Sequence, residues 1–151
     1  AWENDTAVWS VSGTLAPCCS YELLTKAGPL TPEERLLMEK HVDYAVEALR
    51  GIDFGLPVLQ TIEQMHERMD GSGYPRKLQG EAICLQARIL AVANTFCALM
   101  RPRSYRRRHD EPAALAILRE RPFKYDQQVV DALAAFLQSA QGKEFVQTLR
   151  Q

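Results

Sequence analysis

Apolar residues recur every three to four positions along most of the chain, a spacing that is typical of amphipathic helices. The first clear helix is predicted to begin after Thr31, with Pro32 in its first turn and Glu34 closing a capping box, and to end at Gly51. Further helices are predicted over 56–69, 83–100, 111–119, 126–139 and 143–149. The hydrophobic pattern is therefore helical from about residue 31 onward.

The remaining segments carry less regular patterns. Residues 8–15 are apolar without a clear period, and they fit either a short helix or a loop. Asp126 and Gly142 are predicted to separate the last helices, because these residue types favour helix ends and turns. The sequence contains no strand pair with a hairpin turn and no internal repeat. The prediction is one all-α domain over residues 1–151.

Three polar residues fall on the apolar faces of three successive predicted helices: His41, His66 and Asn94. His41, for example, shares its face with Leu37 and Ala45. Since buried polar groups need partners, these side chains either bond separately to backbone or water, or meet at one site. Convergence is the interpretation we favour. Two imidazoles and one neutral amide are nevertheless a poor ligand set for a divalent cation, which prefers carboxylates or more imidazoles.

Composition narrows the class of protein. Hydrophobic residues make up 46% of the 151 positions and charged residues 25%, as in ordinary globular domains. The net charge of -1 gives no overall attraction for nucleic acid or for an anionic membrane. No apolar run approaches the ~20 residues of a membrane span.

The four cysteines form no CxxC pair, so we expect a reducing, cytoplasmic location. The first residue is Ala rather than Met, and we expect a fragment of a longer protein.

The most distinctive stretch is HERMDGSGYP, from His66 to Pro75. It resembles the signature of the HD-GYP domain, a branch of the HD metal-dependent phosphohydrolases. Other segments resemble the same family in the same order: KAGPLTPEE, QARILAVANTFCAL, RSYR and YDQQVVDAL. The resemblance thus extends over about residues 8–137. It implies an all-α helical bundle that hydrolyses cyclic di-GMP with two or three metal ions, often iron or manganese.

Many of the family's metal-ligand positions carry other residues in this chain. The family's His-Asp doublet falls on Ser12 and Gly13, and its helical His falls on His41. Its His-His pair falls on Met65 and His66, and its later Asp falls on Asn94. An upstream helix that can carry another ligand has no counterpart, so the bundle is expected to lack it. Only His41 and His66 keep the family's residue type. We therefore expect no cofactor, with one weakly bound Fe or Mn on the two histidines as the alternative.

The loop that names the family is intact: Asp70, Gly71, Gly73, Tyr74 and Pro75. In the family this loop is associated with contacts to GGDEF-type diguanylate cyclase domains, which makes it a candidate partner-binding surface. An exposed Tyr74 would be a good contact group. The other interpretation is a loop kept for folding, with Tyr74 packed inward. Both interpretations stand at this stage.

A run of arginines follows the third long helix. The family's matching basic residues face the dinucleotide, so the resemblance makes Arg103 and Arg106 candidates for binding cyclic di-GMP. For Arg107 and Arg108, a solvated charge run at a helix end is the simpler interpretation. Nucleic acid is a less favoured partner, because the chain as a whole is not basic.

Four hypotheses follow. The leading one is a catalytically inactive HD-GYP domain that acts as a regulatory or protein-interaction module in bacterial cyclic di-GMP signalling. The second is a cyclic di-GMP phosphodiesterase with a reduced metal site, completed by Glu67, Asp70 or upstream residues. The third is a receptor that binds cyclic di-GMP without hydrolysis. The fourth is a purely structural domain.

Overall fold

The structure is a computed structural model, and it describes residues 30–101 and 109–149. These residues form helices α1 Pro32–Glu39, α2 His41–Leu49, α3 Val58–Gln64, α4 Leu85–Met100, α5 Glu111–Arg119, α6 Gln127–Gln138 and α7 Ala140–Leu149, with a 3-10 turn at Gly80–Ala82. The described residues contain no named strand, and the one β-type pairing recorded among them is an isolated bridge between Asp70 and Gln79. The all-α prediction is confirmed.

Capping signals correctly predicted two of the helix starts, after Thr31 and at Asp126. Thr31 Oγ1 accepts from the Glu34 amide at 3.2 Å, and Glu34 Oε2 accepts from the Thr31 amide at 2.7 Å, which completes the predicted capping box. Asp126 caps α6 by accepting from the Gln128 amide at 3.0 Å. These hydrogen bonds join residues two or three positions apart, so they form independently of how the helices pack.

The predicted helix that ends at Gly51 is interrupted once, at Lys40, and so becomes α1 and α2. Nδ1 of His41 lies 2.6 Å from the carbonyl oxygen of Met38. The imidazole thus occupies a carbonyl that a continuous helix would bond to a backbone amide. The inward face is also rotated from the predicted one. Met38, His41, Val42 and Ala45 are buried, whereas Leu37 is 55% exposed.

The predicted helix over 56–69 is shorter than expected, because α3 ends at Gln64. Beyond it the backbone pairs with distant loops. The Met69 amide donates to the carbonyl of Lys124 at 3.2 Å, and the Met69 carbonyl accepts from the Gly80 amide at 3.0 Å. These bonds replace the i to i−4 bonds that a helix would make. The expectation that His66 lies on the apolar face of this helix was therefore wrong, although His66 is buried.

Gly142 was predicted to be a break between helices, and it lies inside α7 instead. A Cβ at this position would come within 2.1 Å of the Phe136 carbonyl oxygen at the end of α6. The glycine permits a tight corner between α6 and α7, and the Gly142 amide donates to Ser139 Oγ at 3.0 Å. A glycine at a helix boundary and a glycine at a close backbone approach look alike in sequence.

Helices α4 to α7 enclose an apolar core. Its buried members are Val92, Phe96, Leu99, Met100, Ala114, Leu115, Leu118, Tyr125, Val130, Leu137 and Val146. Helices α2 and α3 pack against each other, and α3 packs against α4, so α4 separates the apolar core from a second buried region. None of the helices in the described ranges is long and apolar enough to cross a membrane.

Candidate functional site

The second buried region is built around three aromatic rings. His41 of α2 is 4% exposed and His66, two residues past α3, is 2% exposed. Their ring centroids lie 5.2 Å apart with planes at 70°, an edge-to-face contact. Tyr74 stacks on the other side of this pair, with its centroid 5.0 Å from that of His66 and planes at 16°. We call His41, His66 and Tyr74 the ring stack. Of the three polar residues predicted to converge, His41 and His66 are in ring contact.

Asn94, the third polar residue of the prediction, is buried on α4 at 7% exposure. Its Nδ2 has no hydrogen-bond partner among the described residues. Met65, where the family has a further histidine, is 9% exposed and directly precedes His66. Ser12, Gly13, Arg103 and Arg106 lie outside the described residues. The roles proposed for those four positions stay predictions.

Both histidines of the ring stack are poor bases. Burial, with the nearby His41 and the charge of Arg68, lowers the pKa of His66 to about 3. Burial also lowers the pKa of His41, although the Met38 carbonyl and Asp43 partly offset it. Both rings are therefore neutral at neutral pH. A neutral ring offers no positive charge to a phosphate, and it retains only its capacity as a nitrogen ligand.

Glu67, the acidic residue of HERMDGSGYP, closes the loop that follows it. Its side chain is 2% exposed. Oε1 accepts from the Arg76 amide at 2.7 Å, and Oε2 accepts from the Leu78 amide at 3.0 Å. We call this pair of bonds the Glu67 clamp. Sequence reasoning missed it, since the donors lie nine and eleven residues further on and no periodic pattern points to them.

Two glycines let the chain return to the clamp. A Cβ on Gly73 would lie 2.4 Å from the Cα of Glu67, so only glycine fits this approach. Gly71 has φ +76, in the left-handed region that glycine tolerates best. Between them, the Ser72 amide donates to Asp70 Oδ1 at 2.9 Å. Burial alone would raise the pKa of Asp70, but the Ser72 bonds and the charge of Lys124 outweigh it and lower that pKa.

Tyr74 is packed inward, at 7% exposure. The expectation of an exposed contact ring at Tyr74 was therefore wrong, and the alternative of inward packing was correct. The Tyr74 amide donates to the His66 carbonyl at 3.3 Å, which holds its ring against the histidine. Gly73 is also buried, whereas Asp70, Gly71 and Pro75 are half-buried. The partner-binding role of the loop stays a prediction, now without Tyr74 as its contact group.

Arg68 joins the motif to the apolar core. Its guanidinium lies 5.4 Å from the ring centroid of Tyr125, a cation–π distance, and Nη1 donates to the Glu67 carbonyl at 3.0 Å. Arg68 is 6% exposed and Tyr125 is 5% exposed. The charge of this arginine is thus used inside the fold, and Arg68 is not available for an external anion.

Lys77 lies between the two amides that the clamp holds. This residue has φ +54, the one positive φ recorded at a non-glycine position in the described residues. For an L-residue this conformation costs roughly 1 kcal/mol. Lys77 is exposed, and its two neighbours, Arg76 and Leu78, are the residues whose amides the Glu67 clamp holds. Arg76 is in turn bonded through Nε to Glu63 of α3 at 2.9 Å.

The described residues do not fit a two-metal centre. They offer two neutral imidazoles and one amide, while the carboxylates of Glu67 and Asp70 already bond backbone amides. In residues 30–101 and 109–149, no group of three or more His, Cys, Asp and Glu side chains is placed to hold a metal ion. A pair of divalent cations needs bridging carboxylates to offset its charge, and no such bridge is formed by these side chains.

Comparisons with known proteins identify the family to which the chain belongs. The chain matches the HD domain family over residues 3–129, and it belongs to that family. It is 42% identical over 114 residues to the cyclic di-GMP phosphodiesterase response regulator RpfG of Xanthomonas campestris pv. campestris, covering 74% of this chain and 30% of the relative. The helical fold, the intact loop and this likeness agree with the HD-GYP branch predicted from HERMDGSGYP.

Two relatives from Vibrio cholerae serotype O1 extend the comparison. A cyclic di-GMP phosphodiesterase is 36% identical over 121 residues, covering 75% of this chain and 25% of the relative. The 3'3'-cGAMP-specific phosphodiesterase 2 is 42% identical over 88 residues, covering 56% of this chain and 16% of the relative. The chain thus spans less than a third of the length of each of these three curated relatives.

Proposed function

We propose that this chain is a catalytically inactive HD-GYP domain. In this proposal it acts in the cytoplasm as a regulatory, protein-binding module of bacterial cyclic di-GMP signalling. The observation that carries the proposal is the content of the second buried region. The two kept histidines pack against each other and against Tyr74, and the carboxylate of Glu67, which follows His66, is bonded to the loop.

The chemistry of that region supports the absence of turnover. Phosphodiester hydrolysis in HD-type enzymes, as the resemblance implies, depends on metal ions that activate a water molecule. Asn94 supplies no charge where the family has Asp, and Met65 supplies a soft thioether where the family has His. Glu67 and Asp70, which the reduced-site hypothesis would use, have other hydrogen-bond partners.

The second candidate is a phosphodiesterase with a reduced metal site. Its support comes from the relatives, several of which are named phosphodiesterases of cyclic di-GMP or 3'3'-cGAMP. In that case His41 and His66 would hold one Fe or Mn ion together with residues outside the described part of the chain. The activity of the longer relatives is thus a reason to test turnover directly.

The deciding experiment measures turnover and metal content on the same protein. The purified chain is incubated with Mn, Fe or Ni and then with cyclic di-GMP, pGpG or 3'3'-cGAMP. Products are separated by chromatography, and bound metal is measured by mass spectrometry. We expect no hydrolysis and substoichiometric metal. Hydrolysis that disappears in His66→Ala would falsify the proposal.

A variant with added ligands tests the metal-binding part of the proposal more directly. Met65→His together with Asn94→Asp restores two of the family's ligand types, so bound metal is expected to rise above that of the unchanged chain. Met69→His is the matched control, because it adds an imidazole at a half-buried position of the same motif without completing the ligand set. Equal metal uptake in the control and the double variant would show that the ligand argument is incorrect.

The partner in this proposal is a GGDEF-type diguanylate cyclase domain, the contact associated with the intact loop. A purified GGDEF-type domain is passed over the immobilised chain, and binding is recorded by surface plasmon resonance. Cyclic di-GMP is injected separately to test the receptor hypothesis. Binding of the domain without turnover supports a regulatory module, whereas binding of the dinucleotide alone supports the receptor.

A further inference from the structure

Lys77 is a strained residue with no use inside the described structure. Its φ of +54 lies in the left-handed region, which L side chains rarely adopt. Its side chain is exposed and makes no hydrogen bond or ion pair with the residues that the structure describes. A glycine would adopt the same backbone without strain. Strain of this kind, without a compensating contact, is characteristic of positions kept for function.

The Glu67 clamp sets the position of Lys77. The two carboxylate oxygens of Glu67 hold the amides on either side of this residue, and the carboxylate is itself 2% exposed. A loop pinned from both sides by a buried charge presents its tip in one orientation. We call residues 76–79 the tip loop. Its geometry is set before any partner arrives, which lowers the ordering cost of binding.

The tip loop carries two cationic side chains, Arg76 and Lys77, and no acidic one. Its backbone is bonded to the buried Glu67 carboxylate, and the Arg76 guanidinium is engaged with Glu63. Lys77 is therefore the cation of the loop for which no ion pair is recorded among the described residues. An exposed ammonium suits a single carboxylate on a facing surface.

We propose that the tip loop binds an acidic segment of a protein partner, with the Lys77 ammonium as its leading contact. The proposal rests on the regulatory function proposed above and names the chemistry of the partner surface. A protein carboxylate is favoured over the phosphate of a nucleotide. Phosphate sites use several converging donors, whereas the Arg76 and Leu78 amides are both already bonded to Glu67.

The first test asks whether the strain is real. Thermal unfolding is compared between the unchanged chain and Lys77→Gly. Glycine removes the left-handed penalty of roughly 1 kcal/mol, but its greater freedom in the unfolded chain costs about 0.4–1 kcal/mol, so Tm is expected to stay level or to rise by up to about 2 °C. A fall in Tm of more than about 2 °C overturns the argument that this position trades stability for function, and with it the proposal.

The second test measures binding of a defined acidic probe, poly-L-glutamate, by fluorescence anisotropy at low salt. Lys77→Gln keeps a long side chain and removes the charge, so it should weaken binding about two- to fivefold. Lys77→Arg should keep most of the affinity. The matched control is Lys143→Gln, which removes one exposed lysine from α7. An equal loss in the control, or no binding by the unchanged chain, overturns the proposal.

Further binding and turnover measurements distinguish a failure of this inference from a failure of the proposed function. If inorganic phosphate competes with the probe only when Lys77 is present, the site takes phosphate and the proposal fails. If a GGDEF-type domain binds the unchanged chain and Lys77→Gln equally well, the tip-loop inference fails while the regulatory function stands. Turnover of cyclic di-GMP by the unchanged chain contradicts the proposed function whatever Lys77→Gln does to probe binding.

Discussion

The two buried regions of this domain lie on either side of α4 and are built on opposite principles. The α4–α7 core is filled by aliphatic and aromatic side chains such as Phe96 and Leu118. The region around the ring stack buries His41, His66 and Glu67, each in a contact of defined geometry. Apolar packing tolerates small shifts, whereas hydrogen bonds and buried charges lose most of their value when misplaced. The second region therefore depends on a few particular residues.

The largest expected effect comes from the apolar core. Phe96 is 1% exposed, and Phe96→Ala should lower the free energy of unfolding by about 3–5 kcal/mol through lost transfer energy and a cavity. Urea denaturation measures the loss. Phe123→Ala is the control, because Phe123 is 56% exposed and its removal should cost less than about 1 kcal/mol. Similar losses in the two variants would contradict the assignment of the core.

The second effect tests the Glu67 clamp. Glu67→Ala leaves the amides of Arg76 and Leu78 without their acceptor, so we expect a loss of about 2–4 kcal/mol in the free energy of unfolding. Glu63→Ala is the matched control, since it removes from α3 a more exposed carboxylate that bonds Arg76 of the same loop, and it should cost below about 1 kcal/mol. Hydrogen exchange at the two amides is a direct readout, and slow exchange retained in Glu67→Ala would disprove the clamp.

The third expected effect is a pH dependence of stability, which comes from the ring-stack region and not from the apolar core. The pKa of His66 is lowered to about 3 in the folded state, below its ordinary unfolded value of about 6.5. The unfolded chain therefore binds more protons between these values, and stability that is complete above about pH 6.5 is lost as pH falls. We expect a loss of roughly 1 kcal/mol per pH unit between about pH 6 and 5.

Urea denaturation at several pH values checks this slope. His66→Phe replaces the imidazole by a ring that does not titrate, so it should reduce the slope over this interval to what His41, whose pKa is also lowered, contributes. Phe96→Ala should shift the whole curve downward and keep its slope, because the core contributes no titrating group there. A slope that is not reduced in His66→Phe would assign the pH dependence to other groups.

The smallest effect lies outside both regions. Thr31→Ala removes the side-chain cap of α1 and should cost about 1 kcal/mol, with helix content only slightly reduced in circular dichroism. Thr148→Ala is a control on α7, where the hydroxyl donates to a backbone carbonyl of its own helix and does not cap it. A larger loss from Thr148→Ala than from Thr31→Ala would contradict the ranking.

Several features of the candidate site were visible before the structure. The motif identified the family, and the contact between His41 and His66 was expected, although the helical face assigned to His66 was wrong because α3 ends at Gln64. The inward packing of Tyr74, the Glu67 clamp and the strain at Lys77 were not foreseen. Each of these depends on where the chain returns after the turn between Gly71 and Gly73. Spacing along a helix carries no information on that return.

By itself, the sequence determined the helical class, the helix starts at Thr31 and Asp126, and the family. Those outcomes depend on periodicity and capping, which act within a few residues. The tertiary structure alone decided that Glu67 holds the tip loop, that Gly142 serves a close helix contact, and that the histidine rings are neutral. These depend on contacts between residues far apart in the chain and on burial. Both arise only when the helices pack and water is excluded from the side chains between them.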